Sequence, residues 1–232
     1  MSRLSQASSS RDHLFYTGVA LLLACSVFVG FSRTYYLKVF FGTPDLSAIA
    51  HLHGAVFTAW TLFFVCQTAL ILGGRTETHR RVGTAGALFG IGIVLLGIAM
   101  TIYSVRAGYA SGRPHMPDLL VNAIIDLLLF CAFFATGWIM RQKKEIHKRC
   151  MVLAMISVII PSIARLPMPF GMIGWVICAF SLVGVVYDLV FLRRVHLTSI
   201  MGALLINAAT PLRFIIAGTR AWQHVAQWIV KS

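Results

Sequence analysis

The stretch from His51 to Gly83, HLHGAVFTAWTLFFVCQTALILGGRTETHRRVG, decides the fold. It contains an uncharged apolar run of about twenty residues, the length a helix needs to cross about 30 Å of hydrocarbon. His51 and His53 stand at one end of the run, and His79, Arg80 and Arg81 stand beyond the other. One helix therefore carries titratable groups to both faces of a bilayer.

The rest of the chain extends this pattern. Of the 232 residues 58% are hydrophobic and only 12% charged, against roughly 25% charged in a soluble domain. The mean hydropathy is +0.82, and long uncharged runs at that value identify a polytopic membrane protein. The formal charge of +13 does not point to nucleic acid. Its lysines and arginines fall in short loops between apolar runs, which is how membrane topology is encoded. Cys25, Cys66, Cys131 and Cys178 lie inside apolar runs, Cys150 begins one, and no CxxC spacing occurs. They read as small buried hydrophobes, so neither a disulfide framework nor a metal site is expected.

Seven runs near spanning length can be counted, at Leu14–Phe31, Ala50–Leu72, Gly83–Tyr103, Leu119–Met140, Cys150–Leu166, Met172–Leu192 and Ser199–Gly218. The fold class is therefore all-α, a seven-transmembrane-helix bundle. Residues 1–13, polar and Ser-rich, read as a disordered cytoplasmic tail. Apolar sequence continues past Cys25, which favours a retained first helix over a removed signal peptide. The connections are short, and the longest, from Ser104 to Asp118, holds Gly108, Gly112, Pro114 and Pro117. Residues 14–232 should thus form one domain. Trp222, His224 and Trp228 close the chain as a short amphipathic end with interfacial aromatics.

Lys/Arg bias orients the chain. The N-terminus and the loops after helices two, four and six carry twelve lysines and arginines, against six on the opposite side. By the positive-inside rule the N-terminus is cytoplasmic and the C-terminus periplasmic or extracellular.

A short echo links two cytoplasmic turns. Glu77-Thr78-His79-Arg80-Arg81 and Glu145-Ile146-His147-Lys148-Arg149 both read Glu-x-His-basic-Arg, and His196 follows Arg193-Arg194 at the third such turn. One reading is lipid anchoring, with Arg80, Arg81, Lys148 and Arg149 meeting anionic headgroups and their stems snorkelling along helix ends. The other is convergence of His79, His147 and His196 as ligands of a haem b or metal.

The outer half holds the sharper pattern. His53, Trp60 and Gln67 are spaced by seven and line one stripe of helix two, which should face protein. Asn122 and Asp126 share a face of helix four. Helix five delivers Arg165 to its outer end, and helix seven delivers Arg213, two residues after Pro211. Charges inside a membrane are costly, about 2.5–3.5 kcal/mol at the centre even on the lenient insertion scale, so these groups should pair or face water. In one reading Asp126 pairs with an arginine to hold the helices together. In the other, an arginine without an acid binds an anionic or carbonyl-bearing ligand while His53 and Asp126 handle protons. The candidate ligand-binding residues are His53, Trp60, Asn122, Asp126, Arg165 and Arg213. A retinal protein is excluded because helix seven carries no lysine. A bis-His haem in the outer half lacks a second helix with an intramembrane histidine.

Taken together, HLHG at His51–Gly54, Trp60, Gln67, HRRVG at His79–Gly83, HKR at His147–Arg149 and TPLR at Thr210–Arg213 resemble the pattern of a group of uncharacterised bacterial multispan membrane proteins. The His-Arg-x-x-Gly turn is also similar to that of a wider set of membrane proteins of unknown function, some laid out like b-type cytochromes. The resemblance runs from Leu14 to Trp228. It implies a multi-pass protein of the bacterial inner membrane and carries no assigned activity. The functional expectation is binding or transport of a small anionic or quinone-like molecule in a polar pocket of the outer half. The alternative is a b-type-cytochrome-like redox protein using the cytoplasmic-side histidines, and no residue pattern assigns a reaction.

Overall fold

The structure is a computed structural model that describes residues 3–113 and 116–231, and every regular element among them is helical. Helix α1 is Arg3–Phe31, followed by a π turn at Ser32–Tyr36 and a 3-10 turn at Lys38–Phe41. Then come α2 (Ala48–Leu72), α3 (Thr76–Ala110), α4 (Met116–Ile139) and α5 (Lys144–Ile163). A 3-10 turn at Phe170–Met172 leads into α6 (Ile173–Tyr187), which ends in a π turn at Asp188–Leu192. Helices α7 (Leu197–Ala217) and α8 (Arg220–Lys231) complete the chain. Seven of these helical segments, α1 to α7, are long and apolar enough to cross a membrane. The chain is thus an all-α, multi-pass membrane protein.

Two boundaries differ from the sequence reading. The polar segment read as a tail over residues 1–13 is helical from Arg3, with Met1 and Ser2 outside the described residues. No glycine or proline interrupts Arg3 to Leu14, and extending an existing helix by one residue costs far less than nucleating one. Helix α3 likewise begins before its apolar run and takes in the whole His79 cluster. The turn signal at Pro114 lies outside the described residues.

Two compact units can be distinguished among the described residues, one within 3–93 and 161–167, the other within 94–160 and 168–231. In the first, α1 runs along α2. The buried residues Tyr16, Ala20, Leu23 and Val27 form one stripe of α1 at helical spacing. Thr17 Oγ1 donates to Thr68 O on α2 at 3.3 Å. The stripe ends at Gly30, whose absent side chain lets the backbone of Ser162 approach. Gly86 does the same for the Phe63 ring between α2 and α3, and Trp60 meets Phe89 of α3 edge-on at 5.2 Å.

In the second unit, α4 packs on α7 and α6 packs on α7. Helix α5 is buried almost all round from Val152 to Ile160, as expected of a helix apolar on every face. Gly137 of α4 makes room for Cys150 and Met151 of α5, and Gly202 of α7 makes room for Leu153.

Candidate functional site

The first unit carries the stripe around which the sequence is arranged. Ser47 opens α2, its Oγ accepting the Ala50 N–H at 3.4 Å, so one of the helix's unpaired first-turn donors is satisfied. Gly54 of the HLHG motif leaves space that the Tyr35 ring fills. Tyr35 Oη donates to His51 O at 3.2 Å, and Tyr36 Oη shares a 2.7 Å hydrogen bond with Thr58 Oγ1. These contacts fasten the loop after α1 onto the first three turns of α2. His53 lies there, its ring 4.1 Å from that of Phe57. Its Nδ1 is buried without a hydrogen-bond partner.

Arg165 belongs to the same unit and lies close enough to His53 to act on it electrostatically. Its guanidinium sits 5.0 Å from the Phe31 ring centroid, a cation–π distance, and Nη1 donates to Pro161 O at 2.7 Å. No acidic side chain pairs with it among the described residues. Further along the stripe, Trp60 and Gln67 are both buried, as the period of seven expects. Neither Nε2 nor Oε1 of Gln67 has a partner, and Gly83 of the HRRVG turn lies opposite that amide.

Asp126 and Arg213 belong to the second unit and bind each other, Arg213 Nη2 donating to Asp126 Oδ1 at 2.5 Å. Both are buried, at 5% and 8% exposure. Of the two arginines that could have answered Asp126, Arg213 is the one that does. Its Nε remains buried without a partner. Asn122, expected on the Asp126 face, is instead exposed. A spacing of four residues overshoots one turn of an α-helix by about 40°, enough to move a side chain past the edge of a packed interface.

The turn histidines serve the backbone. His79 Nδ1 lies 3.2 Å from Gln67 O, and His147 Nδ1 lies 2.9 Å from Gly137 O. A carbonyl only accepts, so in both turns Nδ1 carries the proton. Each histidine thus ties the helix it starts to the end of the one before. The echoed glutamates match as well, with Glu77 bound by Arg81 at 3.0 Å and Glu145 by Arg149 at 2.6 Å. His196 does the reverse, its Nδ1 accepting the Thr198 N–H at 3.1 Å as the N-cap of α7. No group of three or more His, Cys, Asp or Glu able to hold a metal ion occurs among the described residues.

Arg149 corrects another expectation. Read from sequence as a headgroup anchor, it is only 3% exposed. It binds Asp188, Nη2 at 2.5 Å and Nε at 3.3 Å, while Nη1 holds Glu145 Oε2. Asp188 is fully buried and also accepts Ser199 Oγ at 2.7 Å and His196 N at 3.0 Å. Lys148 likewise turns to Glu145, at 2.8 Å, whereas Arg80 and Arg81 are exposed. The cluster joins α5, the π turn after α6 and the start of α7, and its carboxylate is saturated with donors. Asp188 went unmarked in the sequence, although a lone acid inside the run from Met172 to Leu192 is itself a signal.

Compared with known proteins, the chain matches no family model, no curated protein and no solved structure. Three polar centres therefore stand on their own, and in one of them Asp126 and Arg213 form a matched ion pair. The Arg149–Asp188 centre is closed upon itself. His53 and the exposed Arg165, by contrast, are near enough to interact electrostatically, and no acid answers either among the described residues.

Proposed function

We propose that this chain is a bacterial inner-membrane binding or transport module for a small anionic or quinone-like molecule, held at His53 and Arg165 with the N-terminus on the cytoplasmic side. The observation carrying this reading is the buried, unpartnered Nδ1 of His53 beside an arginine that has no acid. Buried polar atoms in native proteins are paired in the great majority of cases, and an exception calls for a missing partner. A carboxylate or a quinone carbonyl supplies acceptors for both groups. Phe31, Phe57 and the Tyr35–Tyr36 pair offer aromatic faces for the flat part of such a molecule. Arg165 anchors the ligand, and His53 gives or takes the proton that accompanies a change in its charge.

The test uses the full chain in detergent or nanodiscs, with a short-tailed benzoquinone and a small aromatic carboxylate as probes. One of the two raises the melting temperature of the wild-type protein, and Arg165→Gln and His53→Leu each abolish that rise. If neither probe stabilises the wild type, or if both variants respond as it does, the reading fails.

A further inference from the structure

Helix α8, RAWQHVAQWIVK from Arg220 to Lys231, presents three faces. Trp222, Ala226 and Ile229 pack on Val105, Leu120 and Met116. Two hydrogen bonds fix this face in place. Trp222 Nε1 donates to Pro117 O at 3.0 Å, and the Arg106 guanidinium donates to Ile229 O at 3.3 Å. Thr219 Oγ1 accepts the Trp222 N–H at 3.2 Å and begins the helix, and Gln223 Nε2 reaches back to Ala217 O. The rotation of α8 about its axis is thereby set.

With that rotation, Ala221, Val225 and Trp228 form an outward apolar face, and Trp228 is 71% exposed. Arg220, His224 and Gln227 form an outward polar face beside it. Full immersion in water leaves the first face unsatisfied, and full immersion in hydrocarbon leaves the second so. Only the boundary between the two media suits both. The helix also follows directly on a lipid-type surface, because Phe214 and Ile215 at the end of α7 are 69% and 66% exposed. Basic residues mark its ends, with Arg220 in the first turn and Arg106 against the last. The sequence of α8 contains Lys231 and no acid, while Asp118 at the start of α4 follows Pro117, whose carbonyl binds Trp222.

We propose that α8 lies in the headgroup layer of an anionic bilayer leaflet, with Val225 and Trp228 against the upper acyl chains and Arg220 and Arg106 beneath the headgroup phosphates. The inference stands apart from the His53 site. A tryptophan ring suits this depth because its body is apolar and its N–H is polar.

The full chain is reconstituted in phosphatidylcholine, with or without phosphatidylglycerol, using lipids brominated either near the ester carbonyls or near the chain ends. The expected result is a tryptophan emission component quenched more by the shallow bromines than by the deep ones, and missing in Trp228→Phe. Phosphatidylglycerol should strengthen that quenching in the wild type and less so in Arg220→Gln. If the Trp228 component answers to aqueous iodide and not to brominated lipid, or is shielded from both, α8 does not rest in a bilayer. Stronger quenching by the deep bromines likewise overturns the proposed depth, and equal effects of phosphatidylglycerol on wild type and Arg220→Gln overturn the anionic preference.

Discussion

Asp126 shows what one residue demands when it sits in an apolar helix. Its carboxylate is buried and answered by Arg213, so removing either partner strands the other. Breaking a buried pair in this way costs about 3–5 kcal/mol. Asp126→Leu should therefore lower unfolding stability in micelles by about that much, and Asp126→Leu with Arg213→Leu should recover most of the loss. Simple addition of the two single losses would mean the pair is not coupled. Gly30 makes a different demand, for space. A methyl there meets the carbonyl of Ser162, which as backbone cannot swing aside. Gly30→Ala should thus cost about 1–3 kcal/mol, the usual price of overpacking, whereas Gly18→Ala, with open space around it, should be nearly silent. That an acid would need an arginine was legible from residue type. Which arginine it took was not, because Arg165 and Arg213 both follow apolar runs and both sit near a proline.

At the scale of elements, the Glu-x-His-basic-Arg echo is a joint between antiparallel helices. His79 and His147 each reach back to a carbonyl of the preceding helix, ten or twelve residues earlier in the chain. The N-cap of α7 works in the opposite sense and has a pH dependence. Burial, helped by the Arg149 guanidinium, holds the His196 imidazole below its usual range, and Asp188 and Glu145 offset this only in part. The folded state therefore binds fewer protons here than the unfolded one, so stability falls as pH drops through the ordinary imidazole range near 6.5. The physical cause is simple, since a protonated Nδ1 cannot accept the Thr198 N–H. Urea or detergent titrations between neutral and mildly acidic pH should show this decline in the wild type and a flatter profile in His196→Asn, which caps without titrating. Parallel profiles would remove His196 as the source. The Arg149–Asp188 cluster predicts a further asymmetry at this scale. Arg149→Lys keeps the charge but not the planar fork that holds Asp188, Ser199 and Glu145 together, so it should destabilise nearly as strongly as Arg149→Met. Full rescue by lysine would show that charge alone matters.

Over the whole molecule, seven apolar helices follow from length and composition alone, because hydrocarbon accepts a backbone only when every N–H and C=O is satisfied within its own segment. If the Lys/Arg excess of the basic turns sets the orientation, reporter fusions at Lys143 and at the C-terminus should report opposite sides, the former cytoplasmic. A reversed result would mean that the Lys/Arg excess does not set the topology. The stripe of His53, Trp60 and Gln67 was also open to sequence, since a period of seven keeps residues on one side of a helix whatever surrounds it. The sequence by itself therefore determined the class, the spans and the buried face of α2. Tertiary structure alone decided that Asp126 takes Arg213, that Arg149 turns inward to Asp188, that Asn122 faces outward and that the turn histidines bind backbone. The physical reason is range. Apolar periodicity acts along one helix and is written in consecutive residues, whereas the partner of a buried charge lies on another helix, 87 residues away for Asp126 and 39 for Arg149. No local spacing encodes that choice.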